Sequence, residues 1–419
     1  MGSWYAGLSG AQRRWLWSTL AAMVLIVAAG WVWTPPPEKP AGARFTTRQS
    51  LSEVAPALGV TGSALARELG LSVDASKRAP LAELGIGQHA LDDATAHLLS
   101  HADTPLKYFV YLALVLGAVV FLVRLGRPDR ADPRHPQGWF PRAPYLFLLV
   151  VSVAVCGFMF GKSPNPMEGI VKVFKTMVGL YPDALYKVGA LFFFLALAVV
   201  GNKVICGWAC PFGSLQELLF SLPVLRRPKR WKLPFWLSNT VRGLLFVLVL
   251  LILFGVIGHQ KGLVLYHYVN PFNLFNLDFH PVSIPLAIGI VLVLGLVFYR
   301  PFCQWVCPFG LISWLVEKVS LHAVRVDREK CTRCRACIRA CPTHAARGKV
   351  FGEALPADCF SCMRCLDKCP VDALSYAGPR SCPGPAPPDP KAASGSDRPD
   401  RAPRAAGSPG GSPRCCGPP

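Results

Sequence analysis

The sequence predicts an α-helical polytopic membrane protein of about six transmembrane helices, followed by a small C-terminal α+β domain. Three observations carry this prediction. Of 419 residues, 52% are hydrophobic and 16% charged, against roughly 25% charged in soluble globular domains. Six stretches are apolar over about the 20 residues that a spanning helix needs. Sixteen cysteines include eight in two tight groups between residues 331 and 369, a spacing suited to metal ligation in a reducing compartment rather than to a secreted disulfide framework.

The six stretches are 15–33, 106–123, 143–161, 186–205, 241–258 and 283–299. The first follows Arg13 and Arg14, and no small-residue cleavage site precedes Pro35, Pro36 and Pro37. Residues 1–33 therefore read as a retained anchor. An even number of crossings puts both termini on one side. Arg124, Arg127, Arg130, Arg134 and Arg142 lie in one connecting loop, and Arg226, Arg227, Lys229, Arg230 and Lys232 in another. Such loops are retained in the cytoplasm, whereas the loop Gly258–Val282 carries only Lys261. Lys162, Lys172 and Lys175 run against this pattern. The orientation expected is a bacterial cytoplasmic (inner) membrane protein with both termini and the C-terminal domain in the cytoplasm. The +20 formal charge is then topological.

The chain divides accordingly. After the anchor, residues 34–105 form a polar extracytoplasmic insert whose centre, SLSEVAPALGVTGSALARELGL, has two short amphipathic helices around Gly59. The pattern resembles a helix-turn-helix, but Arg67 beside Glu68 and few other cations make no basic face. Nucleic acid is not an expected partner. Residues 106–142 hold the second span and a basic cytoplasmic loop, and 143–320 a four-helix membrane core. Residues 321–378 form the C-terminal domain. The remainder, 379–419, is a Pro, Gly, Ser and Arg mixture that predicts disorder; its Cys382, Cys415 and Cys416 have no ligand spacing.

Within the C-terminal domain, Cys331, Cys334, Cys337 and Cys341 precede Pro342, and Cys359, Cys362, Cys365 and Cys369 precede Pro370. Each is the C-x2-C-x2-C-x3-C-P run of bacterial two-cluster ferredoxins. Three thiolates two residues apart cap three corners of one cubane, while a helical turn carries the fourth cysteine to the other cluster. The expected domain is thus a bacterial two-[4Fe-4S] ferredoxin-like domain. Cys331, Cys334, Cys337 and Cys369 hold one cluster, and Cys359, Cys362, Cys365 and Cys341 the second. Zinc fits two complete repeats with a terminal Cys-Pro less well. Arg333, Arg335, Arg339, Arg364 and Lys368 lie between the ligands, where cations would raise the potential of an anionic cluster or form a solvated face.

A second duplication is rarer. The fourth span ends in CGWACPFG, with Cys206 and Cys210, and the sixth in CQWVCPFG, with Cys303 and Cys307. Two helices thus bring the same C-x-W-x-C-P-F-G signature to one membrane face. Each proline limits the incoming helix, and the following SLQELLF and LISWLVEKV suit the interface. A thiol at such a helix start is favoured as thiolate. The four cysteines are candidate redox thiols or ligands of a third metal centre. Cys156 reads as packing. His259, His267 and His280 lie in the outer loop, where imidazoles could handle quinol protons, although interfacial histidines without that task are commoner.

Both cysteine sets together, over Tyr145 to Tyr376, resemble the membrane polyferredoxins of the NapH and NosR type, which accompany periplasmic nitrate reductase and nitrous oxide reductase systems. The resemblance implies electron movement between a quinol pool or cytoplasmic donor and a redox partner across the membrane. The chain is also similar to the cytochrome oxidase assembly polyferredoxins, which implies copper reduction as an alternative. The NosR type carries a covalently flavinylated extracytoplasmic domain; residues 34–105 are too short for one and lack the threonine motif, so covalent FMN is not expected. The expected function is electron transfer with a redox protein partner, with quinone or quinol as a candidate partner within the bilayer. A metal or thiol reductase and a membrane redox sensor are the alternatives.

Overall fold

The structure, a computed structural model, describes residues 10–33, 45–58, 60, 62–71, 75–100, 105–125, 142–162, 164–180, 184–222, 232–258, 263–277, 282–353 and 356–378. The expected tail 379–419, Gly59, most of both basic loops, His259, His280 and the side chain of His267 lie outside them.

The helices are α1 (Gly10–Trp33), α2 (Leu51–Ala57), α3 (Gly62–Glu68), α4 (Gln88–Ser100), α5 (Leu106–Val120), α6 (Arg142–Val151), α7 (Pro166–Met177), α8 (Ala184–Gly201) and α9 (Pro211–Ser221). They continue with α10 (Phe235–Leu253), α11 (Leu265–Tyr268), α12 (Ser283–Val297), α13 (Pro301–Trp305), α14 (Pro308–Val316), α15 (Ala336–Ala340), α16 (Ala345–Phe351) and α17 (Arg364–Asp367). Two strands, β1 (Ala323–Val326) and β2 (Leu374–Ala377), pair antiparallel.

Among the described residues, four helices are long and apolar enough to cross a membrane: Arg13–Trp33, Leu106–Val123, Ala184–Gly201 and Phe235–Leu253. The other two expected spans coincide with shorter apolar helices, Tyr145–Met159 and Ser283–Val297. The latter has 15 residues, and at about 1.5 Å per residue it falls short of a hydrocarbon core of roughly 30 Å. The fourth span stops at Gly201 rather than 205, because Asn202 takes a left-handed backbone with φ 58°. The fifth begins earlier, at Phe235, and ends at Leu253.

Of these helices α5 is the most enclosed and α1 the most exposed. They touch through small residues. A Cβ at Gly30 would lie 2.5 Å from the Phe109 ring, and one at Gly117 2.4 Å from Met23 Sδ. Glycine lets apolar helices approach closely where lipid provides no hydrophobic drive between them. The insert has its own core of Leu51, Val54, Leu65, Leu81 and Leu91 under α2, α3 and α4. At the start of α2, the Ser50 N–H donates to Glu53 Oε2 at 2.8 Å, half of a capping box.

The C-terminal segment is bonded directly to the end of α8. As the chain leaves the membrane helices, Leu321 N donates to Val199 O at 2.7 Å and His322 N to Val200 O at 3.2 Å. β1 then pairs with β2 in the register Ala323↔Ala377 to Val326↔Leu374, closing the segment on itself. Tyr376 Oη returns to donate to Gly201 O at 2.9 Å. Between them, Trp208 Nε1 donates to Ser361 O at 3.0 Å and Asn202 Nδ2 to Cys359 O at 3.2 Å.

One position of the duplicated signature reports this contact. Where the second copy has Gln304, the first has Gly207, and a Cβ there would lie 2.2 Å from Phe360 O. The Gly207→Ala substitution must therefore displace the Phe360 backbone, at a cost of about 1–3 kcal/mol. The expected result is a lowered unfolding midpoint and faster protease cleavage within residues 356–378. A variant as stable and as resistant as the parent would show that this approach carries no constraint.

Candidate metal centres

The two cysteine runs of the C-terminal segment share one backbone form. Arg333 and Arg335 in the first loop, and Ser361 and Met363 in the second, all have φ between 51° and 59°. These are the positions two and four residues after the first cysteine of each run. Left-handed residues are uncommon outside glycine. Backbone N–H groups of these loops turn toward the sulfurs, Ile338 donating to Cys337, Ser361 to Cys359 and Arg364 to Cys362, the kind of concavity that binds anions such as iron-sulfur clusters.

β-pairing decides which cysteines meet. It brings the chain just before Cys331 beside the chain just after Cys369, and Asp327 N donates to Ala373 O at 2.7 Å. A cavity results whose lining includes Cys331, Cys334, Cys337 and Cys369 together with Arg333, Arg335, Pro370 and Val371. Ala373 N donates to Cys369 Sγ at 3.2 Å. Cys334 is exposed and Cys331 half-buried, so the mouth opens to solvent. Cys341 is buried against Ala345 and Ala346 with Cys359 and Cys365 packed on it, and Cys362 is an electrostatic neighbour of Cys341. Thiol donors in fours beside inward-turned amides fit [4Fe-4S] clusters.

Burial pushes the Cys337 thiol up to about 11 and the Cys362 thiol up to about 12. Such thiols hold their protons at neutral pH until a metal displaces them. Asp327 is held below the usual carboxylate range, first by its hydrogen bond from Lys330.

The membrane-edge cysteines occupy a second gathering. Cys210 precedes α9 and Cys307 precedes α14, with backbone angles of −69°, 119° and −69°, 116°, and a proline follows at the first helical position in each. Proline suits that position because its missing N–H would be unpaired there anyway. Cys206 sits in a π-helical turn, Ile205–Ala209, and Cys303 in α13. All four are only 7–8% exposed. Cys303 lies electrostatically beside Cys206 and Cys210, and Cys307 beside Cys303 and Cys206. Gln216 Nε2 donates to Cys303 Sγ at 3.3 Å while its Oε1 accepts from Phe302 N at 3.0 Å. Cys156 is fully buried in the π-helical run Ser152–Met159.

Around this quartet lies a set of buried charges. Lys203 and Arg300 each stand three residues before the first cysteine of their copy and reach across to the other. Lys203 Nζ donates to Gly310 O at 3.0 Å. Arg300 Nη2 donates to Gly207 O at 3.0 Å, and its Nη1 to Cys206 O. Arg242 Nη1 donates to Cys303 O at 3.2 Å, the counterpart of the Arg300 contact. Glu217 pairs with Arg300 at 3.0 Å and with Arg364, whereas Asp358 pairs with Arg242 at 3.1 Å and with Lys203. Gly213 and Gly310 make room: a Cβ at either would lie 2.4 or 2.5 Å from the carbonyl of Cys206 or Cys303, and 3.0 Å from the guanidinium of Arg300 or Arg242.

Apart from Arg364, these charged residues are missing from the sequence reading. The available signal was Lys203 and Arg300 at matched positions within otherwise apolar runs. Nothing local distinguished Glu217, Arg242 or Asp358, because their partners are up to 155 residues away in the chain.

Comparison with known proteins adds three findings. A family described as a 4Fe-4S binding domain matches residues 187–233 and again 279–326, and another of the same description matches 324–347. The ferredoxin-type protein NapH of Haemophilus influenzae is 32% identical over 208 residues, covering 47% of this chain and 69% of NapH. The putative electron transport protein YccM of Escherichia coli is 25% identical over 185 residues, 42% of this chain and 52% of YccM. The regulatory protein NosR of Pseudomonas aeruginosa is 30% identical over 190 residues, 42% of this chain but 26% of NosR. The chain therefore spans about two thirds of NapH, half of YccM and a quarter of NosR. No solved structure matches.

Glu217 is fully buried between two arginines. Glu217→Gln leaves the Arg300 charge buried and unanswered, which typically costs about 3–5 kcal/mol. A correspondingly lower unfolding midpoint in detergent is expected; an unchanged midpoint would remove the Glu217 bridge from the forces holding the two copies together.

Proposed function

The chain belongs to the NapH/NosR-type membrane polyferredoxins, which are iron-sulfur electron-transfer proteins, and on that premise we propose that it relays electrons between a quinone pool or cytoplasmic donor and a redox partner. The observation that carries this reading is the chain of cysteine sets from a solvent-open cavity to the membrane edge. Cys331, Cys334, Cys337 and Cys369 would hold the outer [4Fe-4S] cluster, and Cys359, Cys362, Cys365 and Cys341 the inner one. Bound there, the clusters supply one-electron transfer without making or breaking covalent bonds.

The chain's own residues organise that transfer. Asn202, Trp208 and Tyr376 fix the inner loop against the end of α8. Arg364, between Cys362 and Cys365, ties the same loop to Glu217 on α9. Lys203 and Arg242 do likewise through Asp358, the residue before Cys359. These bonds hold the inner set next to the membrane-edge cysteines.

We read the chain as six spans in the bacterial cytoplasmic membrane, four of full length and two, Tyr145–Met159 and Ser283–Val297, on shorter apolar helices, with the anchor 1–33, the outer insert 34–105, a membrane core 143–320 and the ferredoxin-like domain 321–378 on the cytoplasmic side. The alternative, a copper-type metal or thiol reductase, would have substrate meet Cys206, Cys210, Cys303 and Cys307. Their burial at 7–8% exposure favours a closed third metal centre over an open thiol site.

Iron and acid-labile sulfide on anaerobically purified protein test both readings. The ferredoxin-like domain alone predicts about eight irons per chain, and a third four-iron centre about twelve. Replacing Cys206, Cys210, Cys303 and Cys307 by serine should then remove about four irons and leave the low-temperature EPR signals of the other two clusters. Negligible iron in the parent protein would overturn the electron-transfer reading. Equal iron in parent and variant would leave the membrane-edge cysteines as thiols.

A further inference from the structure

The two cysteine loops are backbone twins with opposite surroundings. In the inner loop, the left-handed residues Ser361 and Met363 are each 1% exposed. Ser361 accepts the Trp208 N–H on its carbonyl, and its Oγ lies 3.5 Å from Asn202 Nδ2. That face of the loop is the surface by which it docks on the membrane helices. In the outer loop the same two positions are Arg333 and Arg335, both exposed. Among the described residues, the hydrogen bonds between the C-terminal segment and the membrane helices run chiefly from residues 321–322, 356–364 and 376, and none from Cys331 to Arg335.

Resting on the cluster reading above, we propose that the outer loop face, Arg333 and Arg335 flanked by Arg339, is the docking surface for a soluble acidic one-electron carrier protein. The duplicated loop presents the same face twice. One copy is spent on the membrane core, and the other is built for an anionic body.

Charge and shape agree with that occupant. None of the three arginines has an acidic partner among the described residues. The neighbouring carboxylates are answered locally, Asp327 by Lys330 at 2.9 Å and Asp367 by Lys368 at 3.0 Å; Glu329 and Asp372 stand exposed on the flanks. Pro370 and the 37%-exposed Val371 line the same cavity as Arg333 and Arg335, which sets apolar surface beside cationic surface, as protein interfaces do. A partner seated here lies directly over Cys334, the exposed cysteine of the outer set. In the exchange, the carrier loses one electron and this chain gains it, or the reverse, with no bond formed or broken. The +20 formal charge extends the attraction beyond contact range.

The test uses full-length, iron-loaded protein in detergent, with an acidic flavodoxin as probe and surface plasmon resonance as readout. Association should slow by about tenfold or more as salt rises from roughly 0.05 to 0.5 M. Arg333→Glu with Arg335→Glu should slow it by roughly tenfold or more at low salt. Arg339→Glu, outside the cavity lining, should slow it a few-fold with iron content unchanged, which separates docking from loading. Arg347→Glu, at an exposed residue paired with Glu353, should change it little. Absence of flavodoxin association, or association indifferent to salt and to these reversals, overturns the proposal. So does loss of binding to phosphatidylglycerol vesicles on reversal while flavodoxin binding persists, since the face would then contact lipid. Iron content reports separately on the cluster reading.

Discussion

Buried charge is the constraint on which the rest of this structure depends. Lys203, Arg242, Arg300 and Glu217 have no measurable exposure, and Asp358 has 1%. An isolated ion in such surroundings is costly enough that it is retained only when paired and hydrogen-bonded. Each of these ions therefore dictates a neighbour. Glu217 requires Arg300 and Arg364; Asp358 requires Lys203 and Arg242. Because the partners come from α9, α10, the turn before α13 and the second cysteine loop, satisfying the charges assembles the membrane edge and the C-terminal segment in one arrangement.

The same ions make the duplicated signatures into one unit. Lys203 and Arg300 reach across to carbonyls of the opposite copy, and Arg242 repeats toward Cys303 the contact that Arg300 makes with Cys206. The glycine ending each signature leaves room for a guanidinium beside a carbonyl. The correspondence between the copies breaks where the C-terminal segment meets them differently. Gly207 faces Phe360 O, while the matching Gln304 donates to Tyr299 O. A sequence difference between near-identical repeats thus marks a tertiary contact.

Backbone conformation plays the parallel role in the C-terminal segment. Left-handed residues at matched places turn amides toward both cysteine sets, while pairing of β1 with β2 closes the loop that brings Cys369 beside Cys331. The two loops then differ in the side chains at those places and in what lies outside them. One is enclosed by Trp208, Asn202 and Arg364; the other meets solvent with arginines.

What the sequence determined by itself is whatever repeats at short range. The apolar runs, the eight cysteines at their spacing and the two C-x-W-x-C-P-F-G signatures each depend on residues within about one helix or loop, so pattern sufficed to read them. Helix limits were less legible: α8 ends at Gly201 because Asn202 turns left-handed, which composition does not signal. Tertiary structure alone decided that the two signatures share one set of buried ions, that Gln216 addresses Cys303, and that one cysteine loop is covered while its twin is open. Those facts join residues as far apart as Asn202 and Ser361. The pairing of a buried charge is a property of the space around it, and local sequence carries no record of which distant segment will fill that space.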